Sequence, residues 1–403
     1  MFKHPVSPES PEDFTFPDGH IRLSLYQKSV DDTTDPSDTL RNVYLEIPIE
    51  TIKSLCFYPL KYLQYLGWCI LGVDGHVSTT PKGTRLSAQD TLENCKTYYY
   101  VTESEGPVFG RVVSLEVIKA RTTASSLSSS WSESRDNFSE AVRQRDLGCV
   151  FTGMPEQFCD ATHIVPRAGD HEVIYTVSNS VPWLMLLQCI LSNRLGMDGK
   201  VDIELESIDD VRNGIFASLH ICRIYGLRNI AILKTPNHVL DVVDIPHAQG
   251  DRQFVTLNTD FPEGIRFTAQ WLQLLPPRLD TLESVRHILP NNSDAMFKTN
   301  AREDELPSGV ILDYIYGATA FKWWGKHYTL LADFVTPRPA PTSMKPKPPR
   351  NPNTTGMKQD RQENQGDDQL DPFETVLMFW NNTPAAINRR QQEEDRLQAR
   401  ISG

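Results

Sequence analysis

No two of the seven cysteines in this 403-residue chain form a Cys-X-X-Cys pair, and the count is odd. That pattern argues against a disulfide framework and predicts free thiols in a reducing compartment. No apolar run is long enough to cross a bilayer: the longest, Val181 to Leu191, is interrupted by Pro182 and Gln188. The first residues, Met1-Phe2-Lys3-His4-Pro5, have no apolar core of the kind a secretory signal carries. An intracellular protein, nuclear or cytoplasmic and without a membrane partner, is therefore expected. Cations are also short. There are 40 Lys and Arg against 52 Asp and Glu, a net charge of −12. Phosphate binding draws its affinity from clustered Lys and Arg, so the balance weighs against nucleic acid unless a local basic face exists. No internal repeat is visible.

What remains is ordinary globular material, with 39% hydrophobic and 23% charged residues. The length suggests two or three domains, each able to bury a core. Residues 1–19 are rich in Pro, Ser and Asp and read as a disordered N-terminus. Residues 20–121 read as a β-rich module. Ile21 to Tyr26 and Val43 to Ile49 alternate apolar and polar, as half-buried strands do. Ile52 to Leu71 is densely apolar but broken by Pro59 and Gly67, which predicts a short helix and then a strand. Tyr98–Val101 and Val108–Ile118 complete the strand set. His20 and His76 stand alone and read as surface residues.

Residues 122–134 are mostly Ser and Thr, a flexible linker. From about Ser134 to Arg145 a helix is expected, with Phe138, Ala141 and Val142 on one face and Gly148 as its stop. Residues 135–334 then read as one α+β domain. Its expected elements are an apolar helix at 182–191, strands at 230–233, 254–257 and 265–267, and an amphipathic helix at 311–324. Residues 335–370 form a Pro-rich linker, basic because no Asp or Glu occurs between Phe334 and Gln359. Residues 371–403 form a helical tail, largely charged, which is the candidate surface for a protein partner.

The chemistry concentrates near the middle. Cys149-Val150-Phe151-Thr152-Gly153 reads as a short strand ending in a Gly turn. His163-Ile164-Val165-Pro166 reads as a second strand that begins on a His and is stopped by Pro. Paired as a hairpin, they would hold one imidazole on a rim. Downstream come Arg212-Asn213-Gly214 and then His220. Phosphodiester hydrolysis needs a base near neutral pH, a divalent cation to neutralise phosphate charge, and a group that orients the base. A His, an Asn and a second His in this order can supply those parts.

These residues resemble the HNH endonuclease family, and in particular a branch common among uncharacterised fungal proteins. The pattern C-V-x-T-G, A-x-H-I-x-P and R-N-G is met by Cys149, Val150, Thr152, Gly153, Ala161, His163, Ile164, Pro166, Arg212, Asn213 and Gly214. Ile232 to Asn237 and Tyr314 to Gly317 also look like that branch, so the resemblance covers about 140–325. It implies an α+β fold with a ββα-metal core, preceded by the β-rich module. It implies a metal-dependent endonuclease acting on DNA or RNA, with His163 as general base, Asn213 orienting it, and His220 holding the metal.

Two departures keep alternatives open. Many HNH enzymes place a ligand directly before the base, where this chain has Thr162; Asp160 is the nearby carboxylate. The branch usually puts its helix His about nine residues after the Asn, where this chain has Cys222, while His220 stands seven after. Asp160, His220 and Cys222 are thus the metal candidates. Mg²⁺ or Mn²⁺ suits the oxygen and nitrogen donors, and Zn²⁺ suits a set that includes Cys222. The rival reading is a degenerate HNH fold that binds without catalysis. A third is a structural zinc held by Cys149, Cys159 and His163.

Overall fold

The computed structural model describes residues 17–26, 43–102, 112–113, 133–165, 194, 207–248, 252, 254–273 and 286–326. The 182–191 helix, most of the 108–118 strand, nearly all of the terminal segments, most of the Ser-rich linker, the basic linker and the tail lie outside them.

The alternation at Ile21, Leu23 and Leu25 forms β1 (His20–Tyr26), with those three side chains fully buried. β2 (Tyr44–Pro48) pairs with it antiparallel, from His20 opposite Pro48 to Ser24 opposite Tyr44. Two helices follow, α1 (Ile49–Leu55) and α2 (Pro59–Leu71). The strand expected before Leu71 is absent, because neither breaker breaks the helix. Pro59 takes the first helical position, where a missing N–H costs nothing. Gly67 sits in the helix interior because the Tyr100 ring fills the space a side chain would need; a Cβ there would lie 2.2 Å from Tyr100 Cδ2. β3 (Gly75–Ser78) pairs antiparallel with β4 (Thr97–Thr102), which lies parallel to β1.

After α3 (Glu133–Asp146) come β5 (Cys159–His163), β6 (Gly214–Ser218), α4 (Leu219–Gly226) and β7 (Ile230–Thr235). β8 (Thr259–Asp260), β9 (Arg266–Trp271), β10 (Ser293–Asp294) and β11 (Phe297–Lys298) follow. β9 is flanked by β7 and β10 in a three-stranded sheet, and β8 pairs with β11. The strand expected at 254–257 is a turn region instead. Phe254 N–H bonds to Thr152 O, while Val255 and Leu257 are 88% and 80% exposed. Apolar residues there do not mark a buried face.

The last described elements are α5 (Gly309–Trp324) and β12 (Gly325–Lys326). α5 is not amphipathic as expected. Every residue from Val310 to Phe321 is buried, because the helix packs against both α2 and β7. Its polar groups find partners inside: Tyr65 Oη donates to Asp313 Oδ1 at 2.7 Å, and Tyr316 Oη meets Tyr62 Oη at 2.7 Å and Gln270 Oε1 at 2.5 Å. Most buried polar groups in folded proteins are satisfied in this way. β12 then pairs with β2, giving the first sheet the order β12-β2-β1-β4-β3. Segments assigned by sequence to 20–121 and 135–334 therefore share one sheet. All described residues belong to one unit, 1–338. No described helix is long and apolar enough to cross a membrane.

Candidate functional site

The strand pair that carries His163 differs from the one expected. Cys149–Gly153 is a tight turn, closed by Gly153 N–H to Cys149 O (2.8 Å) and Cys149 N–H to Met154 O (2.9 Å). The strand is β5, and His163 ends it rather than beginning it. Its antiparallel partner is β6, from Cys159 opposite Ser218 to His163 opposite Gly214. Alternation along a chain marks a strand but not its partner, and here the partner lies beyond a long connection. The 149–150 segment still borders the pair, through Val150 N–H to Phe216 O at 3.1 Å.

Successive strand residues face opposite sides. Ala161, His163, Gly214 and Phe216 share one face, and α3 covers it. Phe138 and Val142 pack there with Ala161 and Phe216, and Gly214 has no room for a side chain beneath them. Ala141, expected on the same face, is exposed. Arg145 and Asp146 are buried in its stead. Arg145 donates to Val211 O, Gly214 O and Glu305 O at 2.8–2.9 Å, and Asp146 accepts Phe216 N–H at 2.8 Å. Burial pushes the Asp146 carboxyl above its ordinary range, against the pull of Arg145. This pair ties α3 to the start of β6.

His163 is 9% exposed. Its ring lies flat on Phe138, with centroids 4.0 Å apart and planes 7° from parallel. Its Nε2 donates to Asp209 Oδ1 at 3.0 Å. Asn213 is fully buried in the turn before β6. Its Oδ1 accepts Val165 N–H at 2.9 Å, and its Nδ2 donates to Ile208 O at 2.9 Å and Val165 O at 3.3 Å. Asn213 is therefore a clamp. It fastens the chain leaving β5 to the chain approaching β6, with His163 and Asp209 on the two sides of the clamp.

The three metal candidates do not assemble. Among the described residues no group of three His, Cys, Asp or Glu side chains is placed to hold a metal ion. Asp160 and Cys222 are neighbours, since Cys222 Sγ donates to Asp160 O at 3.6 Å and to Ala217 O at 3.3 Å. Burial raises the Cys222 thiol well above its usual range, which is poor preparation for a thiolate ligand. His220 is buried in the first turn of α4, which starts beyond Ser218, the end of β6 away from His163. Burial lowers its pKa to about 4, so it is neutral at physiological pH. The described residues thus do not fit a divalent ion. The zinc reading through Cys149, Cys159 and His163 fails on length alone. Cys159 and His163 stand at opposite ends of β5, four residues or about 13 Å apart.

Residues 149–222 match the HNH endonuclease family. No curated protein and no solved structure matches the chain. The HNH segment runs from the tight turn through β5 and β6 into α4, and contains His163, Asp209, Asn213 and His220. The family is one of nucleic-acid-cleaving enzymes. Phe138, Arg145 and Asp146 lie outside the HNH segment, so the surface against which its His is stacked comes from the preceding helix.

Asp209 and Phe138 are the site residues that sequence reasoning missed. Asp209 stands four residues before Asn213 in Ser207-Ile208-Asp209-Asp210, and the acidic pair directly ahead of Val211-Arg212-Asn213 was the available signal. Its neighbour Asp210 is instead committed to Arg212, with contacts of 2.7 and 2.9 Å. Phe138 was visible as a core residue, but nothing in the sequence pairs it with His163.

Proposed function

We propose that the HNH segment is a phosphodiester hydrolase site for DNA or RNA, with His163 as general base. The observation that carries this reading is the Asp209–His163 hydrogen bond within a segment matched to nucleic-acid-cleaving enzymes. A carboxylate that accepts the Nε2 proton leaves Nδ1 as the nitrogen with an open lone pair. Nδ1 then takes the proton from the water that attacks phosphorus. Phe138 keeps the ring from rotating, and Asn213 positions it through the Val165 backbone. In the family a divalent ion neutralises phosphate charge. Among the described residues, Asp160, His220 and Cys222 form no ligand set for that ion. The basic segment 335–370 would add nonspecific phosphate contacts, and the charged tail 371–403 would recruit a protein partner in the nucleus or cytoplasm.

A second reading is a non-catalytic HNH fold that binds nucleic acid. It is favoured by the unassembled ligand set and by the commitment of Asn213 to three backbone contacts. Purified protein incubated with supercoiled plasmid and Mg²⁺, Mn²⁺ or Zn²⁺ separates the two. Nicking that His163→Ala abolishes supports catalysis. Equal nicking by both proteins overturns the role of His163. Retained plasmid binding without nicking in any metal supports the second reading.

A further inference from the structure

Three thiols gather at the end of β5 and β6 opposite His163, and the proposed hydrolase uses none of them. Cys149 is fully buried, Cys222 is nearly so, and Cys159 is partly exposed. Two independent sets of contacts hold Cys149 and Cys159 together. The Cys149 N–H and the Cys159 Sγ–H converge on one acceptor, Met154 O, at 2.9 and 3.4 Å. Ser218 stands opposite Cys159 in the ladder, while its N–H donates to the Cys149 sulfur. The Cys159 Sγ–H also reaches Pro155 O at 3.3 Å, and each of the two thiols shifts the titration of the other, as adjacent sulfurs do. Cys222 approaches from the other side, on Asp160 O and Ala217 O.

Three thiols in one place suggest a metal or a redox pair. The side chains are not arranged to hold an ion. A thiol–disulfide pair needs only two sulfurs in contact, with one of them reachable. We propose that Cys149 and Cys159 are a reversible disulfide site, oxidised by a low-molecular-weight disulfide such as oxidised glutathione. Cys159, the reachable sulfur, attacks the glutathione disulfide as its thiolate, faster as the pH rises because Cys149 and burial hold that thiol above the usual range. A mixed disulfide forms, the glutathione S–S bond breaks, and the departing thiolate takes the proton that Cys159 loses. Cys149 then attacks the Cys159 sulfur. The protein S–S bond forms, the mixed bond breaks, and the second glutathione leaves with the Cys149 proton. Two protein thiols and one glutathione disulfide give one protein disulfide and two glutathiones. The product would staple the 149–154 turn to the start of β5.

The test is to incubate the full chain with oxidised glutathione, trap free thiols by alkylation under denaturing conditions, and map the peptides. Trypsin cuts after Arg145 and Arg167 and releases 146–167 with Cys149 and Cys159 as its only cysteines; cyanogen bromide cleavage at Met154 then separates the two unless they are linked. The expected result is a protein lighter by two hydrogens, with the fragments on either side of Met154 joined until a reductant is added. Cys159→Ser, at the partly exposed position, should abolish the link and leave Cys149 alkylated. The proposal is overturned if both thiols stay free under conditions that modify the exposed Cys95. It is also overturned if Cys149 links to Cys222 instead, or if the protein as purified holds one equivalent of zinc that shields these thiols.

Discussion

Asp209 Oδ1 lies 3.0 Å from His163 Nε2, although 46 residues separate them in the chain. The contact gives the imidazole a fixed tautomer and a fixed direction, which a base needs before its basicity matters. Partners that orient metal-bound histidines contribute about 10–100-fold to activity, and the same range is expected for a group that orients a histidine base. Asp209→Ala should therefore slow plasmid nicking by about that factor, measured on folded protein, and should also lower stability by about 1–3 kcal/mol because the buried His163 Nε2 loses its partner. His163→Ala should remove nicking altogether. A rate for Asp209→Ala equal to that of the wild-type protein would mean that the pair is structural.

Asn213→Ala removes the acceptor of Val165 N–H and the donor to Ile208 O inside a fully buried turn. A buried group left without its partner costs about 1–3 kcal/mol. Urea denaturation should show a loss in that range, with an unchanged slope. Asn213→Asp keeps the acceptor but places a carboxylate against the Val165 and Ile208 carbonyls. It should destabilise the protein more than the alanine does. If the alanine variant is as stable as the wild type and loses only activity, Asn213 acts on substrate rather than as a clamp.

Much of this architecture is legible in the sequence, and the rest is hidden for definite reasons. Ile21, Leu23 and Leu25 announce β1 because burial there is one-sided and local. Phe138 and Val142 announce the inner face of α3 for the same reason. The partner of β5 is not legible, because Cys149–Thr152 has strand-like composition while the true partner, β6, lies beyond a long connection. The full burial of α5 is concealed by Asp313 and Tyr316, whose polarity is satisfied by residues distant in sequence. At the site, His163 and Asn213 stand out by their spacing. Asp209 does not, since an aspartate before a turn has many ordinary uses. The metal set that the resemblance implies is not legible either, because positions along the chain do not say which end of a strand pair a helix starts from.

His220 gives stability a pH dependence whose sign follows from its burial. Its pKa falls to about 4 in the folded chain, from about 6.5 when exposed. Between those values the unfolded chain binds a proton that the folded chain refuses, so acid favours unfolding. Stability should be fully present above pH 6.5 and decline as the pH falls towards 4. The shift corresponds to about 3 kcal/mol at most. In EDTA, denaturation at pH 7.5 and pH 5 should show this decline in the wild type, and a smaller one in His220→Phe. Identical pH dependence in the two proteins would place the titration elsewhere.

Gly67→Ala sets two effects against each other. Replacing a glycine inside an exposed helix usually gains up to about 1 kcal/mol. In α2 the new Cβ would lie 2.2 Å from Tyr100 Cδ2 and 2.3 Å from Cγ, well inside contact distance. The ring cannot retreat easily, because Tyr100 is fully buried and its hydroxyl donates to Val73 O at 2.7 Å. Overpacking of this kind costs about 1–3 kcal/mol, so the clash outweighs the helix propensity. Gly67→Ala should lower the thermal midpoint, and the double variant Gly67→Ala with Tyr100→Leu should recover part of the loss. A stabilised single variant would show that α2 and β4 slide apart freely, contrary to the packing of Gly67 on Tyr100.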